Sequence, residues 1–295
     1  MEKHIKIAYL VIAYMDSEQL KRLALRLTRT GDADVYIHIN ASVDITPFQK
    51  ALADMPGPGR IIFSRERYRI VWAGYGILQA SFSIMEQALQ QDSYDRIVLL
   101  TGLDYPVKPD EQIQEFFYEH KDREFIHASV VSGEQHSHLY YYAARDHRFL
   151  QKCLQTYERL LRKMGKKGKH DYVMHEGQKY LLHGIAPKWA ISGECASYLL
   201  DFYKKNKKFN RYFQMMHAPD DFYVATVLFH SRFRSRIESE KDIFRIIWLP
   251  EDKGAKILAE EDYPELAGCG QLYAKKFQSG YSEGLQRMLD QGEER

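Results

Sequence analysis

The first half of the chain alternates strands of the buried type with amphipathic helices, and this alternation limits the fold more than any other feature. The run "IKIAYLVIAY" is continuously apolar, as a parallel strand covered on both faces is. The next segment, "DSEQLKRLALRL", has Leu20, Leu23 and Leu27 on one helical face and Asp16 or Ser17 as its N-cap. Further strands are predicted at "DVYIHIN", "RIIFS", "DRIVLLT" and "EFIHASV", and helices at "GILQASFSIMEQALQQ" and "DEQIQEFFYEH". The pattern predicts a doubly wound α/β sheet.

The second half is less regular, and no linker divides the chain. The segment "KWAISGECASYLLDFYKK" predicts a strand, a Gly turn and a helix, and "APDDFYVATVLF" predicts a helix with Pro219 at its first position. A helix is also predicted at "HRFLQKCLQTYERLLRKM", with an apolar stripe of Phe149, Cys153, Leu154, Tyr157, Leu160 and Leu161. We expect a single domain over residues 1–295, with one lobe at about 1–130 and a second at about 131–295.

Composition excludes several classes of protein. The net charge of +2 and the lack of a basic stripe with interleaved aromatics disfavour a nucleic-acid binder. Cys153, Cys195 and Cys269 are odd in number and form no Cys-x-x-Cys, so we expect reduced thiols in the cytoplasm. The first apolar run is too short to span a bilayer, and no signal-peptide cleavage site follows it. The sequence contains none of the motifs GxGxxG, GxxxxGK[ST] and HExxH, and its 12 histidines show no metal-ligand spacing.

Residues just beyond the strand ends are candidates for a site, because ligands of open α/β sheets bind there. Asp104 follows the fourth strand in "LLTGLDYPVKP", although Asp and Pro also form ordinary turns. No Asp-x-Asp accompanies it, and a lone carboxylate is a poor ligand set for Mg²⁺ or Mn²⁺. Lys275 and Lys276 of "AKKF" could neutralise a diphosphate without a metal. On spacing alone, an exposed basic edge explains this pair more simply.

The acids of "HAPDDF" are the second candidate. Asp220 and Asp221 fall in the first turn of a predicted helix, where acids complement the helix dipole without any catalytic role. The alternative is that one is a general base whose pKa the dipole lowers, so that it stays ionised. The three tryptophans are expected in the core, although small residues beside Trp72 in "IVWAGYG" would let a planar ring or backbone approach closely. The run "RKMGKKGKH" is expected to be a solvated loop, with anionic lipid as the alternative.

Four stretches, in order, resemble one family. These are "VWAGYGILQASFSIMEQAL", "VLLTGLDYPVKPDEQI", "APDDFYVATVL" and "QLYAKKF", and "YLVIAYMDSEQLKRL" and "VYIHIN" fit the opening of the same family. The family is that of the core-2/I-branching enzymes, glycosyltransferase family 14, which also contains the peptide O-xylosyltransferases. The resemblance covers about residues 5–130 and 183–280. It implies a GT-A-like (Rossmann-like) mixed sheet with helices on both faces, a UDP-sugar donor, inversion at the anomeric carbon, and no metal or other cofactor.

The resemblance also implies roles for individual positions. Asp221 stands where the family has its catalytic Glu, one methylene shorter, and Asp220 could share its task on the acceptor side together with Trp248. Asn40 replaces the family's nucleoside-contacting Asp. Asp104 would lie near the donor sugar and diphosphate, ordering a loop or bonding sugar hydroxyls. The donor-binding positions implied in full are Ile12, Asn40, Ile70, Val71, Trp72, Asp104, Lys256, Lys275 and Lys276.

The expected function is therefore transfer of a sugar, with N-acetylglucosamine favoured, from a UDP-sugar to a hydroxyl of a glycan or lipid-linked glycan acceptor. The first lobe would bind the nucleotide, and the second would hold the acceptor and the base. We expect a cytoplasmic bacterial enzyme of surface polysaccharide synthesis, at the inner face of the membrane and with peripheral membrane contact left open. Two alternatives remain: a xylosyl- or glucosyltransferase of the same fold, and a nucleotide-sugar-binding protein with impaired catalysis.

Overall fold

The computed structural model describes residues 4–53, 57–131, 143–165, 170–250 and 254–291. Its strands are β1 Ile7–Ala13, β2 Ala33–Ile39, β3 Ile61–Phe63, β4 Arg96–Thr101, β5 Asp104–Pro106, β6 Glu124–Val130, β7 Tyr172–His175, β8 Gln178–Leu181, β9 His183–Ser192, β10 Ile237–Glu238, β11 Phe244–Ile246 and β12 Tyr273–Lys275. Its α-helices are α1 Ser17–Thr28, α2 Thr46–Leu52, α3 Gly76–Gln91, α4 Asp110–Glu119, α5 Arg148–Lys163, α6 Gly193–Lys205, α7 Lys207–Gln214, α8 Tyr223–Phe229, α9 Tyr263–Gly268 and α10 Glu283–Gln291. The strands and helices predicted in the first half are all present.

The main sheet has seven strands in the order β10-β6-β9-β4-β1-β2-β3. All neighbouring pairs are parallel except those of β9, which runs antiparallel to both β4 and β6. The sheet is therefore mixed, and β9, from the second half of the chain, lies between two strands of the first half. The predicted lobes thus share one continuous sheet.

Both faces of the main sheet are covered by helices. Side chains of β1 alternate between the two cores, as the period of two in a strand requires. Ala8, Leu10 and Ile12 belong to one apolar cluster with residues of α3, α6 and α8. Ile7, Tyr9 and Val11 belong to the other, with residues of α1, α4 and α10. The predicted mixed α/β sheet with helices on both faces is confirmed.

Two smaller sheets complete the described structure. One has the order β11-β12-β5, with β12 antiparallel to β5, so that Lys275 is the ladder partner of Asp104. The other is the hairpin of β7 and β8. The ladder between β5 and β12 brings the "AKKF" segment to the end of β4, about 170 residues away in the chain.

Two predictions in the second half need correction. The single helix predicted from Pro219 is a 3-10 turn, Pro219–Asp221, followed by α8 from Tyr223. The reason is local, because Ala218 has φ 43° and the Asp221 amide bonds the Ala218 carbonyl, three residues back.

The second correction concerns the stripe predicted for α5, which the structure divides between two faces. Leu154 and Leu161 are buried, whereas its other four members are exposed: Phe149, Cys153, Tyr157 and Leu160. Within the described residues, no helix is both long and apolar enough to cross a bilayer. Residues 166–169 of the predicted basic loop lie outside the described residues.

Candidate active site

The carboxyl ends of β1, β2 and β4 meet at one edge of the main sheet, as their parallel register requires. Ile12 is the partner of Thr101 on β4, and its carbonyl accepts a 3.0 Å hydrogen bond from the Gly102 amide. The Asn40 amide donates to the Ala13 carbonyl at 2.9 Å. Ile12 and Asn40, both predicted on the donor side, therefore lie at the same edge of the sheet.

The Asn40 side chain holds the segment that contains the next predicted donor-side residues. Its Nδ2 donates to the Ile70 carbonyl at 2.8 Å, and its Oδ1 accepts from the Ile70 amide at 3.0 Å. An ionised aspartate has no donor for the Ile70 carbonyl, so the amide suits this position. The structure thus joins Asn40 to the segment that continues into Val71 and Trp72.

Trp72 is exposed rather than in the core, with 77% of its surface accessible. The Arg145 guanidinium carbon lies 5.0 Å from its ring centroid, and the His217 ring packs edge-on at 5.3 Å. Burial, and then the charge of Arg145, lower the pKa of His217, which favours the neutral imidazole. The Ala218 amide bonds the Ala73 carbonyl at 3.0 Å, so the Trp72 segment is tied to the turn that carries the two aspartates.

The small residues after Trp72 make room for a side chain of the protein itself. A Cβ at Gly74 would lie 2.8 Å from the Asp146 carboxylate. That carboxylate accepts hydrogen bonds from the amides of Tyr75 and Gly76, at 2.5 and 3.2 Å, at the start of α3. The space that we predicted for a planar ring is therefore occupied in part by a helix cap.

Asp104 is fully buried, and protein groups bond both of its oxygens. Oδ2 accepts from the Thr101 amide at 2.5 Å and from the Thr101 hydroxyl at 2.9 Å. Oδ1 pairs with the ammonium of Lys188, a buried residue of β9. Asp104 therefore fixes the turn after β4 and anchors a cation beneath it.

Lys188 places a positive charge at the same edge. Burial lowers the pKa of its ammonium, the Asp104 carboxylate opposes that shift, and the charge of Lys275 adds to it. The Nζ atom lies 5.3 Å from the Phe244 ring centroid. The charges of Asp104, Asp242 and Lys275 all act on this ammonium, so Lys188 and Lys275 belong to one cluster of charged side chains.

The segment after β12 joins this region through its backbone. The Phe277 amide donates to the Leu103 carbonyl at 2.9 Å, and the Leu258 amide donates to the Lys276 carbonyl at 2.8 Å. Within the described ranges, no carboxylate forms an ion pair with Lys275 or Lys276. Lys256 differs, because its ammonium bonds Asp262 at 2.6 Å, which raises its pKa.

Asp16 ties the same segment to the first loop of the sheet. As the N-cap of α1 it accepts from the Gln19 amide, which confirms that cap prediction. Its carboxylate also accepts from the Ser279 amide at 2.8 Å and from the Ser279 hydroxyl at 2.6 Å. The lysine pair is thus held between the β5–β12 ladder on one side and Asp16 on the other.

Asp220 and Asp221 form a half-buried acidic pair on the 3-10 turn. Burial raises the pKa of Asp220 to about 6; burial, and then the charge of Asp220, raise the pKa of Asp221 to about 8. The predicted lowering by a helix dipole is therefore wrong in direction. A three-residue 3-10 turn has little macrodipole, and the loss of solvent dominates.

Strand β9 links the aspartates to the lysines. A Cβ at Gly184 would lie 2.6 Å from the Asp221 carbonyl oxygen and 2.5 Å from the Phe222 ring, so only glycine permits this approach. Lys188, which pairs with Asp104, stands four residues further along the strand. Strand β9 bulges between these two points, since Trp189 pairs with Ile126 and Ile185 pairs with Ala128, so they lie closer along the sheet than four regular strand residues would place them.

Trp248, predicted on the acceptor side, lies on the hairpin that carries Lys256. It is exposed and forms a bridge with Ala255, while the Lys256 amide bonds the Ile247 carbonyl. In the part of the chain that the structure describes, no hydrogen bond or ring contact joins Trp248 to Asp220 or Asp221. The prediction that all three tryptophans belong to the core holds only for Trp189.

Sequence reasoning missed several residues of this region, namely Asp16 as a tether, Arg145, Asp146, Lys188 and His217. Lys188 lies in a mostly apolar strand, where a lysine is rarely buried unless it has a partner of opposite charge. Its position in the sequence therefore indicated a buried ion pair. Arg145 and Asp146 fall in the segment 131–182, where no motif was recognised. Around the site the described residues contain no cluster of three His, Cys, Asp or Glu side chains that could hold a metal.

Comparisons with known proteins agree with the motifs. A xylosyltransferase of Ciona intestinalis is 23% identical over 124 residues, which is 41% of this chain but only 14% of that protein. Matches among solved structures include mouse xyloside xylosyltransferase 1 in its apo form (11% identity, 91% of this chain and 96% of that one, TM-score 0.35). Others are an active-site mutant of LgtC (10%, 96% and 94%, 0.40) and S. aureus TarS in complex with UDP-GlcNAc (18%, 41% and 34%, 0.28).

The model of the Core-2/I-Branching enzyme family matches residues 7–166, more than half of the chain. The matched stretch contains β1 to β6 and therefore the strand ends that carry Ile12, Asn40 and Asp104. The GT-A-like fold class goes with this family, and the mixed sheet with helices on both faces agrees with it. The chain belongs to the core-2/I-branching enzyme family.

Proposed function

We propose that the protein is an inverting glycosyltransferase that moves a sugar from a UDP-sugar to a hydroxyl of a glycan acceptor. One observation carries the proposal: a single strand, β9, links an acidic pair to a cluster of lysines. Gly184 contacts the turn of Asp221, and Lys188 lies with Asp104 and Lys275. In this proposal the donor sugar lies toward the acidic pair and its diphosphate toward the lysines.

Asp221 is the proposed general base. The proton of the acceptor hydroxyl moves to its carboxylate, and the hydroxyl oxygen forms a bond to the anomeric carbon. The bond from that carbon to the phosphate oxygen breaks on the opposite face, and its electron pair leaves with UDP. A base works best with a pKa near the working pH, and burial has raised the pKa of Asp221 to about 8.

Lys275 and Lys276 are the proposed ligands of the leaving diphosphate. Fixed ammonium groups stabilise the negative charge that develops on it, at no cost in reorganisation. We propose that no metal is needed. The Asp104 carboxylate already pairs with the ammonium of Lys188, and Lys275 adds a second positive charge nearby. Lys256 is a weaker candidate, since Asp262 holds its ammonium.

Trp72 is the proposed platform for the nucleoside, together with Ile70 and Val71. Its ring is exposed beside Arg145, and Asn40 fixes the backbone next to it. A flat base stacks on such a ring. In this proposal Asn40 acts on the nucleoside through the backbone of Ile70 and not by direct contact.

We further propose N-acetylglucosamine as the sugar and a surface glycan or lipid-linked glycan as the acceptor, in the cytoplasm at the inner face of the membrane. Xylose and glucose are the competing sugars. A nucleotide-sugar-binding protein with impaired catalysis is the second candidate. Asp221 favours it, because its side chain is one methylene shorter than the family's Glu.

The first experiment is calorimetric titration of UDP with EDTA present. Wild type is compared with Lys276→Ala and with the control Lys208→Ala, which removes an exposed lysine of α7. We expect binding in wild type and Lys208→Ala and a loss of about tenfold or more in Lys276→Ala. Binding only after addition of Mn²⁺ would contradict the lysine clamp, and no binding in any form would contradict the UDP-sugar donor.

The second experiment separates the candidate activities. Hydrolysis and transfer are measured with UDP-N-acetylglucosamine, UDP-xylose and UDP-glucose in parallel. Turnover of one donor identifies the sugar. Tight UDP binding with no turnover of any donor across a panel of glycan acceptors supports the impaired binding protein.

A further inference from the structure

Helix α5 carries an exposed apolar stripe in addition to its buried face. Leu154 and Leu161, each 8% exposed, are its apolar contacts with the protein interior. We name as the α5 stripe the residues Phe149, Cys153, Tyr157, Leu160 and Met164, all of which are exposed. A soluble helix normally keeps polar residues on its outer side, so this face needs an explanation.

The spacing of the α5 stripe makes it continuous. Its members follow one another at intervals of four, four, three and four residues, which places them on one side of a helix. It runs from Phe149, 83% exposed, to Met164, 59% exposed. At 1.5 Å per residue the stripe is about 22 Å long.

Basic side chains flank the α5 stripe on one side. Lys152, Arg159 and Lys163 are exposed and lie about a quarter turn from its centre at 100° per residue. The whole helix has five basic residues and a single acid, Glu158, which is buried. A net charge of +2 for the entire chain shows how strongly the positive charge is concentrated here.

We propose that α5 docks on an anionic phospholipid surface. The α5 stripe would enter the boundary between headgroups and acyl chains, with the helix parallel to the membrane plane. The stems of Lys152, Arg159 and Lys163 would lie along that boundary and place their charges among lipid phosphates.

Charge favours a membrane over a second copy of this chain as the occupant. Two α5 helices packed stripe to stripe would bring Lys152, Arg159 and Lys163 of each copy to the rim of the contact, while Glu158, the one acid of each helix, is buried. Like charges across such a contact repel one another. An anionic lipid surface complements both the apolar stripe and its flank.

Cys153 permits a direct test, because it lies within the α5 stripe and is exposed. A polarity-sensitive thiol dye is attached to Cys153 in a Cys269→Ser background. The dye should not react with Cys195, because that residue is buried and burial raises the pKa of its thiol. Vesicles of phosphatidylcholine with phosphatidylglycerol should shift the dye emission to the blue. The same dye on Lys208→Cys, in a Cys153→Ser, Cys269→Ser background, is the position control and should not shift.

Vesicle co-sedimentation tests the two components of the surface separately. We expect Phe149→Ala with Leu160→Ala, and Lys152→Glu with Lys163→Glu, each to reduce partition into anionic vesicles at least tenfold. The charge-matched control is Lys207→Glu with Lys208→Glu, two exposed lysines of α7, which should retain most of the binding. UDP affinity in all three variants checks that the fold is intact.

Three results would overturn the proposal. One is equal partition of wild type and the stripe variants into anionic vesicles. The second is a stable dimer in solution that the stripe variants abolish, which would assign the stripe to a second copy. The third is binding to phosphatidylcholine alone as strong as to anionic vesicles, which would contradict the role of the basic flank.

Discussion

At the scale of single residues, Asp221 combines a raised pKa with the proposed catalytic role. Asp221→Asn should lower the rate of sugar transfer by about 10² to 10⁴-fold, because general-base catalysis contributes that much. UDP affinity should stay within about threefold of wild type, since the diphosphate is held elsewhere. Single-turnover kinetics with calorimetry checks both. Asp201→Asn, an exposed aspartate of α6, is the matched control.

The same residue predicts how stability changes with pH. Burial favours the protonated carboxyl, so the folded state loses stability as pH rises from the ordinary carboxyl pKa through the raised one, about 8. Asp221→Asn should therefore be more stable than wild type at pH 8 and nearly equal to it at pH 4. Urea unfolding at the two pH values measures the difference in unfolding free energy between the variant and wild type. The opposite trend would contradict a raised pKa for Asp221.

Asp104 and Lys188 form the other residue-scale unit. Lys188→Met leaves a buried carboxylate without its cation and should cost about 3–5 kcal/mol of unfolding free energy. The double variant Asp104→Asn with Lys188→Met removes both charges, so it should recover a large part of that loss. A double-mutant cycle in urea gives the coupling energy. Additive losses would show that the two side chains act independently.

At the scale of elements, the sequence predicted correctly the helices and strands whose positions depend on the local pattern of apolar residues. Helix α3 has the bounds Gly76–Gln91 that its apolar period indicated, and β1, β2 and β4 follow their apolar runs. The direction of β9 was beyond such reasoning, because a fully buried strand has the same composition in either direction. The 3-10 turn before α8 was missed, since Pro219 suits the start of an α-helix equally well.

The site was predictable where its residues follow strands or form ordered motifs. Asn40 and Ile70, 30 residues apart, do meet, and Asp104 and Lys275 are ladder partners. Lys188 was not found, because its partner lies 84 residues away on another element. The pKa of Asp221 was predicted in the wrong direction, since burial depends on tertiary packing and the sequence offers only local dipoles.

The contact between β9 and the 3-10 turn is an element-scale prediction. Gly184→Ala places a Cβ within 2.6 Å of the Asp221 carbonyl oxygen and 2.5 Å of the Phe222 ring, so the turn must move away from the strand. Misplacement of a catalytic group by about 1 Å costs about 100-fold in rate, and we expect a loss of that size in transfer. Gly268→Ala is the control, because its Cβ would meet no atom within 4 Å. Equal activity of the two variants would contradict a tight fit at Gly184.

At the scale of the whole molecule, residues near the end of the described chain form hydrogen bonds with residues of β1 and α1 near its beginning. The Tyr9 and Tyr273 hydroxyls bond each other at 2.9 Å, and so do the side chains of Gln19 and Gln286. These contacts surround the Asp16 tether, which holds the segment after Lys276. Donor binding is therefore expected to stabilise the complete fold, because the proposed lysine clamp exists only when residues far apart in the sequence are assembled.

Ser279→Ala tests this closure. It removes the hydroxyl that donates to Asp16 but keeps the lysines, so UDP should bind about tenfold more weakly. At a concentration about 100 times the wild-type Kd, UDP stabilises wild type by about 2.7 kcal/mol and would stabilise the variant by about 1.4 kcal/mol. Thermal unfolding with and without UDP measures the difference, with Ser197→Ala on exposed α6 as the control. An unchanged UDP-dependent shift in Ser279→Ala would mean that the β5–β12 ladder alone positions the lysines.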